Sequence, residues 1–336
     1  MWIAAFLRDR EQYVRIENCL SPTVCVRSGV PQGSVLGPIL FILYINDVTD
    51  ILVDDVSCKL YADDLKLYCP IDPTLGFSES LQTSLDNLCN WSLNWQLPIN
   101  VDKSFFVTIS RNNICNCVHS YRILCSLLTR RFSVDDLGIA YDCNLCFDNY
   151  VKNIASSAKA KVGLLFRSFK TRDPALLKRA YVTYIRPKLE YASNIWNPFH
   201  KTTIAVLENV QRYFTRRIPS LSIFSYEERL AMLNLDTLEK RRLKSDLVLY
   251  YKILHGLSSI PASAFDTYNT CSVSRSKSSL LRKNIAGTQA CYFSFFNRAV
   301  DCWNVLPSSL TDASSLSVFR SRLDMTDLSH YCTVLA

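Results

Sequence analysis

Two short apolar runs on either side of a pair of adjacent acids constrain the fold of this chain most strongly. In residues 59–68 the apolar positions alternate before and after Asp63 and Asp64, which predicts two strands joined by a tight turn. Two carboxylates at one turn repel each other, and burying them would cost still more. A cation between them removes that repulsion, and paired carboxylates with Mg²⁺ commonly serve phosphoryl transfer. An ordinary solvated hairpin tip is the alternative interpretation.

A glycine-containing turn followed by an apolar helix precedes this hairpin. Gly29 and Gly33 flank Pro31 and Gln32, a pattern that predicts a tight backbone turn presenting one polar side chain. Ser34 is expected to cap the helix that follows. Because that helix is apolar on all sides, the sequence predicts that it is buried in the core. It is too short to span a membrane.

The order and spacing of these two motifs match a known family. Gly-Val-Pro-Gln-Gly-Ser at 29–34 followed by Tyr-Ala-Asp-Asp at 61–64 resembles the palm domain of reverse transcriptases. The flanking sequence between Trp2 and Pro38 is similar to the non-LTR (LINE-type) retrotransposon branch. Further segments that resemble the family lie at 91–103, at 136–147 (similar to the hairpin that grips the primer end), at 190–196 and at 303–307.

The resemblance implies a catalytic role for several residues of the hairpin and beyond. Asp63 would be a metal ligand with Asp64 beside it, and Tyr61 would pack near the primer end. Two Mg²⁺ ions would then hold the attacking and leaving oxygens of nucleotidyl transfer. Lys103 would be the candidate general acid for the departing pyrophosphate. An ordinary solvated lysine after a strand is the alternative for Lys103.

The resemblance also assigns the upstream turn to nucleotide binding. Pro31, Gln32 and Gly33 would line the wall where the templating base pair and the incoming nucleotide sit. The alternative for Gln32 is a turn residue whose side chain bonds to nearby backbone. The implied partners are an RNA template, a DNA primer and the RNA of the element itself.

The family has a further carboxylate on the strand that pairs with the hairpin, several dozen residues before the Gly-Val-Pro-Gln-Gly segment. Here only Asp9, Glu11 and Glu17 precede Gly29. Two metal ions need carboxylates from more than one strand. We therefore expect that the first palm strand and the fingers are missing and that this chain does not polymerise DNA by itself. A non-catalytic RNA- or DNA-binding remnant of such an element is the alternative.

Composition favours a folded intracellular protein. The chain has 336 residues, of which 49% are apolar and 20% charged, enough to bury a sizeable core. No signal peptide and no apolar run of membrane length is present. We therefore expect a location in the nucleus or cytoplasm, with no membrane partner.

The 14 cysteines give no zinc pattern. Cys143 and Cys146 form the only Cys-x-x-Cys pair. The spacing of Cys115, Cys117, His119 and Cys125 fits no zinc knuckle, so scattered reduced thiols are expected. The sequence-derived cofactor prediction is therefore Mg²⁺ alone.

Positive charge is concentrated in the middle of the chain. Residues 151–255 contain 20 Lys and Arg against 8 Asp and Glu, a net of +12, whereas the remainder is −4. The segment is predicted to be helical, with Arg212 and Arg216 four residues apart on one helix and Arg217 beside them. A thumb that clamps template and primer through their phosphates is one interpretation. A helical bundle with a solvated basic face is the other.

Local signals locate several helix ends in this segment. Asp173 before Pro174 predicts a capped start. Two four-residue segments that begin at Ser225 and Asp236 resemble capping boxes. Gly256 is expected to end the last helix of the segment. A buried stripe is expected at Leu207, Val210, Phe214 and Ile218.

Taken together, the sequence predicts an α+β chain in which an incomplete polymerase palm, an antiparallel sheet with helices, is followed by a mainly helical thumb-like domain and a C-terminal extension. The predicted divisions are a partial palm at 1–110, a primer-grip-like hairpin region at 111–150, a basic helical domain at 151–256, a linker or mobile loop at 257–290 and a small C-terminal element at 291–336.

Overall fold

The chain combines helices with short strand pairs, which confirms the predicted α+β class. The computed structural model describes residues 2–71, 76–110, 120–268, 280–284 and 287–333. Its contacts divide the chain into two units. The first comprises the described residues up to 108 together with 120–131, and the second comprises residues 132 onward with 109 and 110. Among the described residues, no helix combines the length and apolarity that crossing a membrane requires.

The first unit contains three helices and a set of short strands. The helices are α1 (Trp2–Leu7), α2 (Gly37–Ile45) and α3 (Glu79–Asn94), with 3₁₀ turns at Asn46–Ile51 and Val101–Lys103. The strands are β1 (Glu11–Gln12), β2 (Arg15–Ile16), β3 (Cys19–Leu20), β4 (Val24–Cys25), β5 (Ser57–Tyr61), β6 (Asp64–Tyr68), β7 (Phe105–Phe106), β8 (Arg122–Ile123), β9 (Ser126–Leu127) and β10 (Thr129–Arg130).

These strands form two-stranded sheets within the described residues. The pairs are β1–β4, β2–β3, β5–β6 and β8–β9, all antiparallel, and β7–β10, which is parallel. The buried core of this unit is small, and Leu67 of β6 packs against it. The buried members of this core are Leu85, Cys89, Tyr121, Ile123 and Leu128.

Helix α2 is more exposed than its sequence predicts. Ile39, Ile42 and Leu43 have 54%, 55% and 68% of their surface exposed, and the buried members of the helix are Gly37 and Ile45. The prediction of a buried core helix is therefore wrong for this chain. An apolar sequence becomes a core helix only where another element covers it, and in the described residues most of this helix has no such cover.

Helix α3 is tied to the segment that leads into the hairpin. The indole N–H of Trp91 donates to Asp47 at 3.2 Å, and the side-chain amide of Asn87 donates to the carbonyl of Ile51 at 2.9 Å. The N–H of Val53 donates to the Ser84 hydroxyl at 3.1 Å. These bonds hold the chain against α3 just before strand β5 begins.

The second unit is mainly helical. Its helices are α4 (Asp148–Ser168), α5 (Pro174–Tyr184), α6 (Arg186–Glu190), α7 (Ser193–Trp196), α8 (Lys201–Arg216), α9 (Tyr226–Leu233), α10 (Leu238–Leu254), α11 (Gln289–Tyr292), α12 (Phe295–Arg298), α13 (Val300–Val305), α14 (Ser308–Thr311) and α15 (Leu316–Asp324). Strands β11 (Ser133–Asp136) and β12 (Ile139–Asp142) form a hairpin, and β13 (Asp266–Tyr268) pairs with β14 (Leu280–Arg282). The 3₁₀ turns are Pro219–Leu221, Ala262–Ala264 and Ser329–Tyr331.

Three of the four helix ends that the sequence predicts in this unit lie where they were expected. The Asp173 carboxylate caps α5, and Ser225 forms a complete capping box with Glu228 at the start of α9. Gly256 follows α10 with a φ of +67°, the conformation of a helix terminator. The second expected capping box is shifted, because Thr237 rather than Asp236 caps α10.

Two apolar clusters form the core of the second unit. The first joins α4, α5, α8 and α9 and contains the predicted stripe, which consists of three residues of α8 and Ile218 just after its end, each at most 2% exposed. In it, the Tyr181 ring stacks on Phe214 with centroids 4.3 Å apart. The second cluster packs apolar residues between 295 and 331 against α10.

Part of the predicted linker at 257–290 is built into this second cluster. Strands β13 and β14 pair antiparallel, and the neighbouring Phe265 and the β14 residue Leu281 are 4% and 1% exposed. These residues therefore pack in a core, which differs from the linker or mobile loop expected there. Residues 269–279, which carry most of the serines and cations behind that expectation, lie outside the described residues.

Candidate functional site

The adjacent acids stand at the tip of an antiparallel hairpin, as the alternating pattern predicts. Tyr61 pairs with Asp64 at the end of the β5–β6 ladder, and Ala62 and Asp63 form the connecting turn. Ala62 has a φ of +52°, in the left-handed region that disfavours residues with a side chain. The tip is therefore a constrained turn, and its backbone conformation fixes the position of Asp63 relative to the two strands.

The two faces of this hairpin differ in burial. Because side chains alternate along a strand, Asp64 and Tyr61 share the solvent-facing side, and both are exposed, as is Asp63. Burial raises the pKa of the Cys58 thiol on the opposite face, and the charge of Lys59 works against this rise. The partly buried face consists of Cys58, Leu60, Leu65 and Leu67.

These carboxylates fit part of a magnesium site. Mg²⁺ prefers hard oxygen ligands, keeps several waters, and is usually bound through one or two carboxylates together with substrate phosphates. Asp63 and Asp64 offer two such ligands on an accessible tip. Within the described ranges no group of three or more His, Cys, Asp or Glu side chains is placed to hold a metal ion. The hairpin thus supplies two hard ligands of the kind that Mg²⁺ prefers.

The upstream glycines form a tight turn against the start of α2. The N–H of Ser34 donates to the carbonyl of Pro31 at 3.4 Å, and Gly33 has a φ of +78°, as a type II turn requires. The Ser34 hydroxyl donates to the same carbonyl at 2.8 Å and accepts from the N–H of Gly37 at 2.9 Å. Ser34 is therefore not the N-cap residue, which is Leu36, but it still satisfies a free N–H of the helix.

This turn presents Gln32 and leaves no room at Gly37. The Gln32 side chain is exposed, which agrees with a polar group held away from the backbone. A Cβ added at Gly37 would lie 2.9 Å from the Pro31 carbonyl oxygen. The close approach of Pro31 to the helix therefore depends on glycine at position 37.

Lys103 ends a 3₁₀ turn that follows α3. The side-chain oxygen of Asn100 accepts from the N–H of Lys103 at 3.2 Å, and the Lys103 side chain is exposed. In the described part of the chain, no hydrogen bond or salt bridge connects Lys103 or Gln32 with Asp63 or Asp64. The structure thus brings together Tyr61, Asp63 and Asp64 at one tip, while Pro31–Gly33 and Lys103 belong to separate turns.

The three predicted arginines of the second unit have different surroundings. The Arg212 guanidinium lies over the Tyr226 ring at 4.8 Å. Arg217 lies over Phe166 at 5.0 Å and over Tyr213 at 5.2 Å. Arg216 is exposed at the end of α8. Arg217 therefore faces α4, and the other two do not share its contacts.

Sequence reasoning missed Lys159 and Arg167, which line a groove with Arg217 between α4 and α8. Both cations lie on α4, and each is four residues from Gly163, so the three positions belong to one stripe along that helix. The four-residue spacing of Lys159, Gly163 and Arg167 in the sequence was the signal that could have predicted a basic stripe on this helix. Its partner on α8 became visible only with the helix packing.

A buried acid in the second unit serves structure. Glu208 of α8 is fully buried and accepts from the N–H of Leu238 at 3.0 Å and from the hydroxyl of Tyr226. Burial raises the pKa of Glu208, and the Tyr226 hydrogen bond opposes the rise. Glu208 thus joins α8 to the starts of α9 and α10 and is separate from the hairpin acids.

Comparisons with known proteins give a consistent result. Residues 1–149 match the family described as reverse transcriptase (RNA-dependent DNA polymerase). The RNA-directed DNA polymerase of the mobile element jockey from Drosophila melanogaster is 28% identical over 226 residues, which is 64% of this chain and 24% of that protein. The probable polymerases of the D. melanogaster transposons BS and X-element are each 26% identical, over 71% and 66% of this chain and 28% and 25% of those proteins. No solved structure matches the chain significantly. The chain spans about a quarter of the length of these curated relatives.

Proposed function

Because this chain belongs to the reverse transcriptases of non-LTR retrotransposons, we propose that residues 1–110 form part of a polymerase palm and that residues 151–256 form a thumb-like domain. In this proposal the substrates are an RNA template, a DNA primer and deoxynucleoside triphosphates. The observation that carries it is the constrained hairpin tip with Asp63 and Asp64, within the segment that matches the family. The chemistry is nucleotidyl transfer.

Asp63 and Asp64 would hold Mg²⁺ at the tip. Bound there, Mg²⁺ would neutralise charge that develops on the reacting phosphate. The left-handed turn at Ala62 fixes the direction of Asp63, and the β5–β6 ladder fixes Asp64 opposite Tyr61. Tyr61 would then support the primer end beside the two carboxylates.

The Pro31–Gly33 turn would form the wall against the templating base pair and the incoming nucleotide. Its support is that the turn is locked by Ser34 and by the close approach to Gly37, while Gln32 stays exposed. A rigid turn with one accessible amide is suited to positioning a substrate. The alternative for Gln32 remains a turn residue without substrate contact.

Lys103 would donate a proton to the departing pyrophosphate. Its support is an accessible ammonium on a turn that Asn100 fixes. An ordinary solvated lysine remains the alternative. Lys103→Met should lower kcat without changing primer binding if the proposed role is right.

Two ions need more carboxylates than this hairpin provides. In the described residues the β5–β6 sheet has two strands. We therefore propose that polymerisation requires a further carboxylate strand, and that the chain alone does not extend a primer. A non-catalytic nucleic-acid-binding protein is the second candidate, favoured by the basic helical unit.

Primer extension on an RNA template with Mg²⁺ tests these proposals. The chain would be compared with a chimaera that carries the preceding segment of the jockey polymerase, and with Asp63→Asn and Asp54→Asn versions of that chimaera. Asp54 is an exposed acid just before β5 and serves as the matched control. Extension by the chimaera that only Asp63→Asn abolishes supports the polymerase. Extension by the chain alone contradicts the need for another strand.

Absence of extension in every version, together with salt-sensitive RNA binding, would favour the second candidate. Loss of extension in the Asp54→Asn chimaera as well would mean that the acids act through general charge or folding. Either result would count against metal binding at the hairpin tip.

A further inference from the structure

A shallow groove of about 460 Å³ lies on the surface between α4 and α8 in the helical unit. Three cations line it: Lys159 and Arg167 from α4, and Arg217 from the end of α8. At Gly163 an added Cβ would meet no atom within 4 Å, so the groove is open above the helix. Its small lining residues are Ser156, Ala160 and Gly163.

The groove follows one stripe of α4. Its lining positions recur every three or four residues, and such positions share a face of an α-helix. The opposite face is buried in the helical core. At a rise of 1.5 Å per residue, Lys159 and Arg167 stand about 12 Å apart along the helix axis. With about 3.4 Å of axis per phosphate in one strand of a duplex, that span covers about three phosphate steps.

Tyr213 determines what kind of ligand suits the groove. The Lys159 ammonium lies 5.1 Å from the centre of its ring, Arg217 lies 5.2 Å from it, and Arg217 also donates to its hydroxyl. Because both cations already contact this ring, it is not free to stack on a nucleic acid base. The groove therefore offers positive charge to a backbone rather than an aromatic platform to bases.

The cations of the groove differ from the paired cations of α10. Among the described residues, none of Lys159, Arg167 and Arg217 forms a salt bridge. The only acid of α4 is Asp148 in its first turn. Several other cations of the unit are paired, as in Arg241 with Glu190, Lys240 and Lys244 with Asp236, and Arg298 with Asp246. The positive charge that is not neutralised by a carboxylate in this unit therefore lies mainly outside α10.

We propose that this groove binds the phosphodiester backbone of a nucleic acid strand, with Lys159, Arg167 and Arg217 as its phosphate ligands. The proposal rests on the proposed function, since it assigns the grip on template or primer to a defined surface. Such contacts position a strand without reading its sequence. Of the three arginines that the sequence suggested, the proposal retains Arg217 alone.

The test is fluorescence anisotropy of the full chain with a labelled single-stranded RNA and with an RNA–DNA duplex of the same length, over a range of salt concentrations. Lys159→Gln/Arg167→Gln is compared with Lys161→Gln/Arg179→Gln. Lys161 and Arg179 are exposed and lie outside the groove, so both doubles remove one lysine and one arginine. Melting curves show whether each double variant folds.

The groove variant should lose two phosphate contacts. Each contact contributes about 0.7 to 0.9 to the slope of log K against log salt, so the slope should decrease by about 1.4 to 1.8. Affinity should fall at least about tenfold at low salt. The matched control should keep most of its affinity and most of its salt dependence. Whichever of the two nucleic acids, the single-stranded RNA or the RNA–DNA duplex, loses more affinity for the groove variant is the one that the groove binds.

A second variant tests the shape of the groove without changing charge. Gly163→Met places a side chain into the open space and should weaken binding, because the strand can no longer approach the cations. Equal losses in the two double variants, or no binding by the unaltered chain, would overturn the proposal. Primer extension by the chimaera is scored separately, so a failed groove leaves the test of Asp63 intact.

Discussion

Replacing Asp246 by asparagine should destabilise the second unit by breaking a buried ionic contact. The Asp246 carboxylate is 1% exposed. It accepts from Arg298 at 2.7 and 2.8 Å, from Asn194 at 2.8 Å and from Asn197 at 3.4 Å. These bonds connect α10 with α7 and α12, so the C-terminal helices should depend on this one carboxylate.

The size of the effect follows from what asparagine cannot supply. It offers one acceptor oxygen where the carboxylate offers two, and its amide group would face donors from Arg298 or Asn194. The Arg298 cation, whose side chain is 11% exposed, would lose its counter-charge. Removing one partner of a buried ion pair costs about 3 to 5 kcal/mol.

Asp301→Asn is the matched control. Asp301 pairs with Lys283 in the same unit, but its side chain is 67% exposed. Exposed pairs contribute about 0 to 1 kcal/mol, so this change should be nearly neutral. The double variant Asp246→Leu/Arg298→Met should recover much of the loss, since it removes both charges together.

Urea unfolding followed by tryptophan fluorescence would give the free energy of unfolding, because Trp196 and Trp303 are buried in this unit. Hydrogen exchange of peptides from α10 and α12 would show where protection is lost. A loss below about 1 kcal/mol for Asp246→Asn, or equal losses for Asp246→Asn and Asp301→Asn, would refute the reasoning.

Three further predictions concern local geometry and charge. Gly37→Ala should destabilise the first unit by about 1 to 3 kcal/mol in urea unfolding, because its Cβ would press on the Pro31 carbonyl. Ala62→Val should be less stable than Ala62→Gly by about 1 to 3 kcal/mol in the same assay, since the turn needs a positive φ. Burial would raise the pKa of Asp236, but hydrogen bonds from Lys244 and Lys240 hold it below its usual value. A lowered pKa adds stability above the unfolded value, about 4, that is lost as pH falls through the folded value, so melting temperatures should drop below about pH 4 and drop less in Asp236→Asn.

Each of these outcomes has a clear opposite. A neutral Gly37→Ala would mean that the Pro31 turn does not need its close approach to α2. Equal stabilities of the two Ala62 variants would mean that the turn does not need a positive φ at position 62. An Asp236→Asn variant with an unchanged acid transition would show that other carboxylates control it.

The hairpin and the helix ends could be predicted because their signals are local. Alternation around Asp63 and Asp64 indicates two strands, and the pairing of Tyr61 with Asp64 follows from the shortness of the turn. Capping at Asp173 and Ser225 involves partners three residues away. The family resemblance is also a local signal, because each of its two motifs, Gly-Val-Pro-Gln-Gly at 29–33 and Tyr-Ala-Asp-Asp at 61–64, is an unbroken run of residues.

Predictions that needed a partner from elsewhere in the chain were less reliable. The apolar sequence of α2 predicted burial, yet Leu43 is 68% exposed, because burial depends on what covers a helix. The linker prediction did not foresee that Leu281 packs into the core of α10 and the C-terminal helices.

The amino-acid sequence by itself determined the hairpin that carries Asp63 and Asp64, the starts of α5 and α9, the end of α10 and the excess of positive charge in the middle of the chain. Only the tertiary structure decided which charges are neutralised. Asp246 and Arg298 are 52 residues apart and meet in a buried pair, whereas Lys159 and Arg217 line a groove that is open to solvent. Periodicity and capping act over a few residues, whereas contacts between distant residues depend on how the helices pack.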